Sequence, residues 1–437
     1  MTHSSRIPLL LLAVLATTAP GQERAQAYVG AHVIPIEGDE IPDGVLIVQT
    51  GRIVAVGPRS KVEIPSGAKV HDVKGKVIMP GLVCTHSHVG GPSGGDRSGP
   101  IQPDVRVLDS IDATDVGFQK ARSGGLTLLN VMPGSGLLCS GQTVYLKLRR
   151  AKVIDDLVIR LKDKSLAGGL KMANGTNSQG DPPRPGTRGK SAALVRETFV
   201  RAQEYRSKLE AGRRDPDKMP ERDLGLEFLV EVLEGKRVVH HHTHRHDDIM
   251  TVIRLKKEFG FRVVLHHVSD AWKVADHIAA SKTPCSIIMI DSPGGKIEAK
   301  DIEWRNGAAL EQAGVLTGFH TDDPITDSRL FRRSGGFAVR AGMSRKSALS
   351  GLTLAGAKML DLDDRAGSLK RGKDADFIVL SGDPLSVYTH VEQTWVEGKK
   401  VFDRSIPQDR LHAVGGLGAS DGQAWSACAC CGGEEAR

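Results

Sequence analysis

The chain has 437 residues, 40% of them hydrophobic and 4% aromatic, with 59 Lys and Arg against 52 Asp and Glu for a net charge of +7. That length and apolar content bury a sizeable core in one large domain or two, which excludes a disordered tail, a coiled coil or a small disulfide scaffold. The 50 glycines follow no three-residue period, so collagen is excluded too, and the mild charge does not demand nucleic acid because basic residues alternate with acidic ones.

The N-terminus reads as an export signal over residues 1–27. Arg6 is the positive start, Leu9 to Ala16 is an apolar run of eight, and Ala25-Gln26-Ala27 offers a small-x-small cleavage site. Eight residues cannot cross a bilayer, and no later segment approaches the roughly 20 apolar residues of a membrane helix. The expectation is an exported, periplasmic or extracellular product with no membrane partner. Export permits disulfides, but Cys84, Cys139 and Cys285 lie far apart in strand-like contexts, and Cys428, Cys430 and Cys431 sit in a short Gly-rich tail over 405–437, where sequence does not decide between metal binding, cross-linking and a disordered end.

From residue 28 to 79 short alternating runs are broken by turns, as in GVLIVQTGRIVAVG, which predicts a hairpin-rich β unit. A second such unit follows at ADFIVLSGDP and QTWVEGKKVFD, so residues 28–79 and 366–404 are expected to join as a small β-sandwich domain built from both chain ends. Between them, over 80–365, strand-like runs (GLTLLNVMP, RVVHHH, FRVVLHH, CSIIMID, VLTGFHTDD) alternate with helix-length stretches such as DDIMTVIRLKKEFG. Alternating β and α over about 280 residues suits an α/β fold of the (β/α)8 TIM type. A doubly wound open sheet is the runner-up, and GGPSGGDRSGP lacks the glycine spacing and the following helix that a nucleotide turn requires. Residues 174–190 read as a long polar loop leading into a helix, either a lid or a surface insertion.

Four strand ends carry metal-type chemistry. His86 and His88 stand at i and i+2, a spacing that projects both imidazoles to one side of a strand. His240, His241, His242, His244 and His246 crowd the next site, where alternation admits either His240, His242 and His244 or His241 on the inner face. His266 and His267 end a third strand, and Asp322 ends a fourth, with His320 and Asp323 beside it. Imidazoles with a carboxylate suit a divalent cation, most of all Zn²⁺, which lowers the pKa of bound water to about 7. A carboxylate beside a cation stays ionised, so Asp322 suits the starting role of base.

These residues resemble the amidohydrolase superfamily, and within it the imidazolonepropionase-like hydrolases, on the strength of PGLVCTHSH early and GSLKRGKDAD late. The resemblance implies that His86, His88, His242, His267 and Asp322 are metal ligands, with Asp322 also catalytic, and that Lys171 in GGLKMANG matches a lysine some members carbamylate to bridge two ions. Relatives often continue with G-E-N-P where this chain reads Gly175-Thr176-Asn177-Ser178, so one ion or two stays open. His244 and Arg245 are implied in binding substrate. The implied activity is metal-dependent hydrolysis of a carbon–nitrogen bond in an amide, lactam or cyclic amidine of a small molecule through a metal-bound hydroxide. Dipeptidase or deaminase action is the alternative within the superfamily, and a metal-binding protein without turnover the alternative outside it. Homo-oligomerisation is compatible with all of these. Nucleic-acid binding through Arg184, Arg188, Lys190 and Arg196 is a poor reading, because no aromatics are interleaved.

Overall fold

The computed structural model describes residues 23–92, 95–289 and 296–415. Residues 1–22 of the expected leader, and Cys428, Cys430 and Cys431 of the expected tail, lie outside the described residues. The three described cysteines are buried and unbridged.

Two β-rich runs at opposite ends of the chain meet in one eight-stranded sheet. Strand Phe377–Leu380 pairs antiparallel with Val77–Pro80, which pairs in turn with the first strand, Gln26–Val33. The GVLIVQTGRIVAVG segment forms the hairpin Ile41–Gln49 and Arg52–Pro58, and the late segment forms the hairpin Val391–Val396 and Lys399–Asp403. Both turns place two successive residues at positive φ, Thr50 at 48° with Gly51 at 73° and Glu397 at 48° with Gly398 at 72°. That twist matches the flanking strands, which is why a glycine closes each. Alternation along the strands gives the sheet two buried faces. Leu46 and Val48 face a cluster with Tyr28, Phe377 and Trp395, while Val45 and Ile47 face Ala25, Ala27 and Val29. The Tyr28 ring lies edge-on to Phe377 at 4.9 Å, joining the first strand to the last ones.

The middle of the chain builds mixed α/β structure. Strands Leu170–Ala173, Val239–Thr243, Val263–His267, Cys285–Ile287 and Thr317–Phe319 run parallel in that order, and Leu82–Ser87 pairs parallel with Leu126–Val131. The intervening stretch 139–147 runs antiparallel to both groups: Cys139–Gln142 pairs with Leu170–Ala173, and Val144–Lys147 with Leu126–Val131. At the far edges the two sheets meet through single contacts, the Asp322 amide donating to His86 O at 3.0 Å and Thr321 approaching the Cys84 thiol at 3.3 Å. The long helix Arg188–Arg214 starts where the polar loop ends, with Thr187 Oγ1 accepting from the Lys190 amide. It buries Val195, Phe199, Ala202 and Tyr205, a helical stripe in which Phe199 stacks on Phe259 and Phe261. Residues 407–414, read in the sequence as the start of a tail, form a helix that touches Ser123 through His412 O. Among the described residues no helix is long and apolar enough to cross a membrane.

One buried charge cluster joins the chain-end sheet to the middle of the chain. Lys147 is fully buried at the end of its strand and bonds both Asp374, at 2.8 Å, and Asp376. Asp374 also bonds Arg365 and Arg52, and Asp376 accepts the Glu397 amide of the late hairpin. Replacing Lys147 with Met leaves two carboxylates in the interior short of a cation, and the expected loss is about 3–5 kcal/mol in equilibrium denaturation. A variant as stable as the parent would show that this cluster does not hold the two parts together.

Candidate metal centre

The candidate residues come from five elements whose ends converge. His86 and His88 leave strand Leu82–Ser87, Lys171 lies in Leu170–Ala173, His242 and His244 end Val239–Thr243, His267 ends Val263–His267, and Asp322 follows Thr317–Phe319. Register settles the alternation in the histidine run. His240 is opposite Lys171 and His242 opposite Ala173, so both face inward, whereas His241 turns outward and donates from Nδ1 to the His242 carbonyl.

His86 Nε2, His88 Nε2 and Asp322 Oδ1 form a triangle with sides of 3.0–3.3 Å. His88 donates Nδ1–H to Met132 O at 2.7 Å, which fixes its tautomer and turns the Nε2 lone pair toward the other two. Three donor atoms this close, one of them on a carboxylate, match a tetrahedral ion with bonds of about 2.1 Å, whose ligand atoms stand about 3.4 Å apart. Two further groups share the space: His86, His267 and His320, and His242, His244 and His267. Lys171, fully buried, places Nζ 3.2 Å from His86 Nε2 and 3.2 Å from Met132 Sδ.

Adjacent residues of a strand ordinarily point to opposite faces, yet His266 and His267 both reach the interior. His266 bonds His240 at 3.0 Å, in a chain that continues to the Tyr145 hydroxyl, and its ring lies 5.1 Å from that of His86. His267 turns inward because φ is 69° there and 43° at Val268, a left-handed step at the strand's end. Asp322 sits at φ 52°, so it too leaves its strand by a bend. Such positions cost about 1–3 kcal/mol each and concentrate at functional sites.

The structure thus brings together His86, His88, Lys171, His242, His267 and Asp322. Arg245 does not join them: its guanidinium pairs with Asp247 at 2.8 Å and is nearly half exposed. His244, expected at the substrate, stands instead among the imidazoles, with Nδ1 on Ser269 Oγ. His320 is the member that the sequence reading left beside the set. Its spacing of i and i+2 from Asp322 is the same signal that marked His86 and His88. It bonds His267 at 3.1 Å and Ser286 at 2.8 Å.

The donor set fits a divalent cation. His267 Nε2 is buried and makes no hydrogen bond among the described residues, and burial followed by the neighbouring imidazoles holds the His266 and His267 pKa values far below the ordinary value. Burial likewise pushes His240 down to about 3 and His241 to about 4. Neutral imidazole is the form that binds metal.

A model of the amidohydrolase family matches residues 229–402. Amidohydrolase tasK of Hapsidospora irregularis is 26% identical over 407 residues, spanning 85% of this chain, and the chain spans only 41% of that protein's length. Imidazolonepropionase of Deinococcus radiodurans is 27% identical over 403 residues, 84% of this chain and 91% of that protein. Among solved structures, an amidohydrolase from Thermotoga maritima superposes with a TM-score of 0.81 at 32% identity, covering 86% of this chain and all of that one. This likeness carries a TIM-barrel-type fold of mixed α/β content.

The buried neutral imidazoles set a pH dependence on the metal-free protein. His240, His241, His266 and His267 resist protonation when folded but accept a proton near pH 6.5 when unfolded. Their contribution is therefore complete above about pH 6.5 and is lost as pH falls, by up to about 1.4 kcal/mol per unit for each histidine. Urea denaturation of chelator-treated protein at pH 7.5, 6 and 5 should show a falling midpoint, and a flat midpoint would contradict the assignment of neutral rings.

Proposed function

We propose a specific chemistry for a chain that belongs to the amidohydrolase family, in its imidazolonepropionase-like branch, and that is with that family an enzyme hydrolysing carbon–nitrogen bonds. The bond is that of an amide, lactam or cyclic amidine in a small molecule, and hydrolysis depends on a divalent cation, most of all Zn²⁺. The observation that carries this reading is the triangle of His86 Nε2, His88 Nε2 and Asp322 Oδ1, which gathers two lone pairs and a carboxylate within 3.0–3.3 Å. We read the strands of the middle segment as the staves of a (β/α)8 barrel with the centre at their C-terminal ends, and the chain-end sheet as its accompanying β-sandwich. We read the Arg6 start and the Leu9–Ala16 run as the leader of an exported enzyme, with cleavage ahead of Ala25 because Ala25 and Ala27 pack into the chain-end sheet.

His86, His88 and Asp322 would hold one ion; His242, His244 and His267 offer a second position, and Lys171 Nζ lies beside the first, 3.2 Å from His86 Nε2. A bound divalent cation supplies water of lowered pKa and polarises the carbonyl under attack. Asp322 accepts the proton of the attacking water at its carboxylate and delivers it to the departing nitrogen. Met132 O, through His88 Nδ1–H, and the His86 carbonyl, through the Asp322 amide, fix the orientation of two of these side chains. His320, braced by Ser286, keeps the His267 ring in place.

Asp322→Asn keeps the shape and one acceptor oxygen while removing the base. The expected result is a kcat lowered about 10²–10⁴-fold on a panel of amides, lactams and dipeptides assayed at saturating zinc, since the lost charge also weakens the first metal position. Metal-replete parent protein that turns over no member of the panel would instead leave a metal-binding protein without catalysis.

A further inference from the structure

Glu298 lies on the short turn Ile297–Ala299, in the segment that follows strand Cys285–Ile287, far in sequence from every residue so far assigned to the centre. Its side chain is 1% exposed, and its surroundings are built around it. The Thr176 amide donates to Oε2 at 2.7 Å. Gly175, at φ 76°, makes room: a Cβ there would stand 2.5 Å from the same oxygen, a distance at which something must shift. With Oε2 anchored, Oε1 points the other way, 4.0 Å from His242 Nε2, and accepts no hydrogen bond among the described residues. A buried carboxylate oxygen without a donor is costly unless a ligand completes it.

The neighbouring charges sharpen the point. Arg188 holds Asp248 through Nε at 3.0 Å to both carboxylate oxygens, and its Nη2 stands 3.8 Å from Glu298 Oε2. Two carboxylates face one guanidinium, a surplus of one negative charge against a group of imidazoles. The group His242, His244 and His267 shares no residue with His86, His88 and Asp322 and contains no carboxylate of its own.

We propose that Glu298 is the anionic ligand of a cation held by His242, His244 and His267, supplied through Oε1 from the turn after the Cys285–Ile287 strand. A separation of 4.0 Å is about half an ångström wider than the ligand spacing of a tetrahedral zinc ion, within the adjustment of one side-chain torsion. Glu298 thus gives this second position the charge that Asp322 gives the first. The inference rests on the metal-dependent reading above and deepens it.

The test is zinc titration of metal-stripped protein against a chromophoric chelator, beside thermal melts with and without zinc. Glu298→Gln keeps an oxygen for the Thr176 amide and loses the charge. It should weaken one class of zinc site by at least about tenfold, as His242→Ala does, while the class removed by His86→Ala persists. Its metal-free melting temperature should match the parent's while the zinc-induced rise shrinks. A merely structural Glu298 would do the reverse, lowering the metal-free melting temperature and leaving the zinc-induced rise intact, which overturns the proposal. A titration superimposable on the parent's overturns it as well. Parent protein that takes up no zinc would overturn the metal-dependent reading itself, a result distinguishable from the other two. Should Glu298→Gln not fold, Glu298→Asp, which keeps the charge but not the reach, is read by the same titration with the same two outcomes.

Discussion

The organising constraint of this molecule is the burial of lone pairs that face one another. Six imidazoles, a lysine amine and a carboxylate occupy one interior space with almost no solvent contact, and their nitrogen and oxygen atoms approach to about 3 Å. Polar groups at such distances repel unless a proton or a cation lies between them, and the low dielectric of an interior magnifies both the repulsion and the remedy. Hydrophobic burial alone would expel these side chains. We read this arrangement as a site prepared for a cation.

Everything around the site serves that arrangement. Parallel strands place their C-terminal ends on one side, so residues separated by long stretches of chain arrive together without each needing its own support. Ser269, Ser286 and the Met132 carbonyl each take a hydrogen from, or give one to, the ring atom that does not face the centre, which fixes the orientation of His244, His320 and His88. Further from the centre, Lys147 with Asp374 and Asp376 couples the antiparallel stave 144–147 to the connection into the chain-end sheet. Because that sheet takes strands from both ends of the chain, the middle segment is enclosed by pairings between the first strands and the last.

Much of this was legible in the residues. Both hairpins follow from glycine at a two-residue turn between β-rich runs, and the pairing of His86 with His88 follows from the period of a strand. Other features obey forces that a linear reading does not contain. The segment Cys139–Gln142 mixes Cys, Ser, Gly and Gln and carries little strand pattern, because its antiparallel pairing with Leu170–Ala173, and not its own propensity, makes it a strand, whereas Val144-Tyr145-Leu146 is β-rich in its own right. The pairing of Arg245 with Asp247, two residues on, is likewise a matter of how the loop turns. Glu298 has no local signal at all. Its significance lies in the Thr176 amide and Gly175, more than a hundred residues earlier, and only the folded chain brings them together.

The left-handed backbone at His267 and Asp322 shows how such a centre departs from the fold that carries it. A regular strand offers alternate side chains only, so one strand end supplies ligands at a spacing of two residues, and a cation needing donors from several directions is poorly served by straight staves. At His267 and Asp322 the backbone bends into positive φ; the bend at His267 adds an inward side chain that alternation after His266 would have turned away, and the one at Asp322 lies past the end of its strand. The conformational cost is local, and a cation held by these donors would offset it. Two of the strained positions are thus candidate ligands, with Val268 completing the bend at His267, and regular strand geometry lies at His266 on one side and at Phe319 on the other. Local distortion at residues whose aim it changes, carried on regular strands, is what a preorganised centre requires.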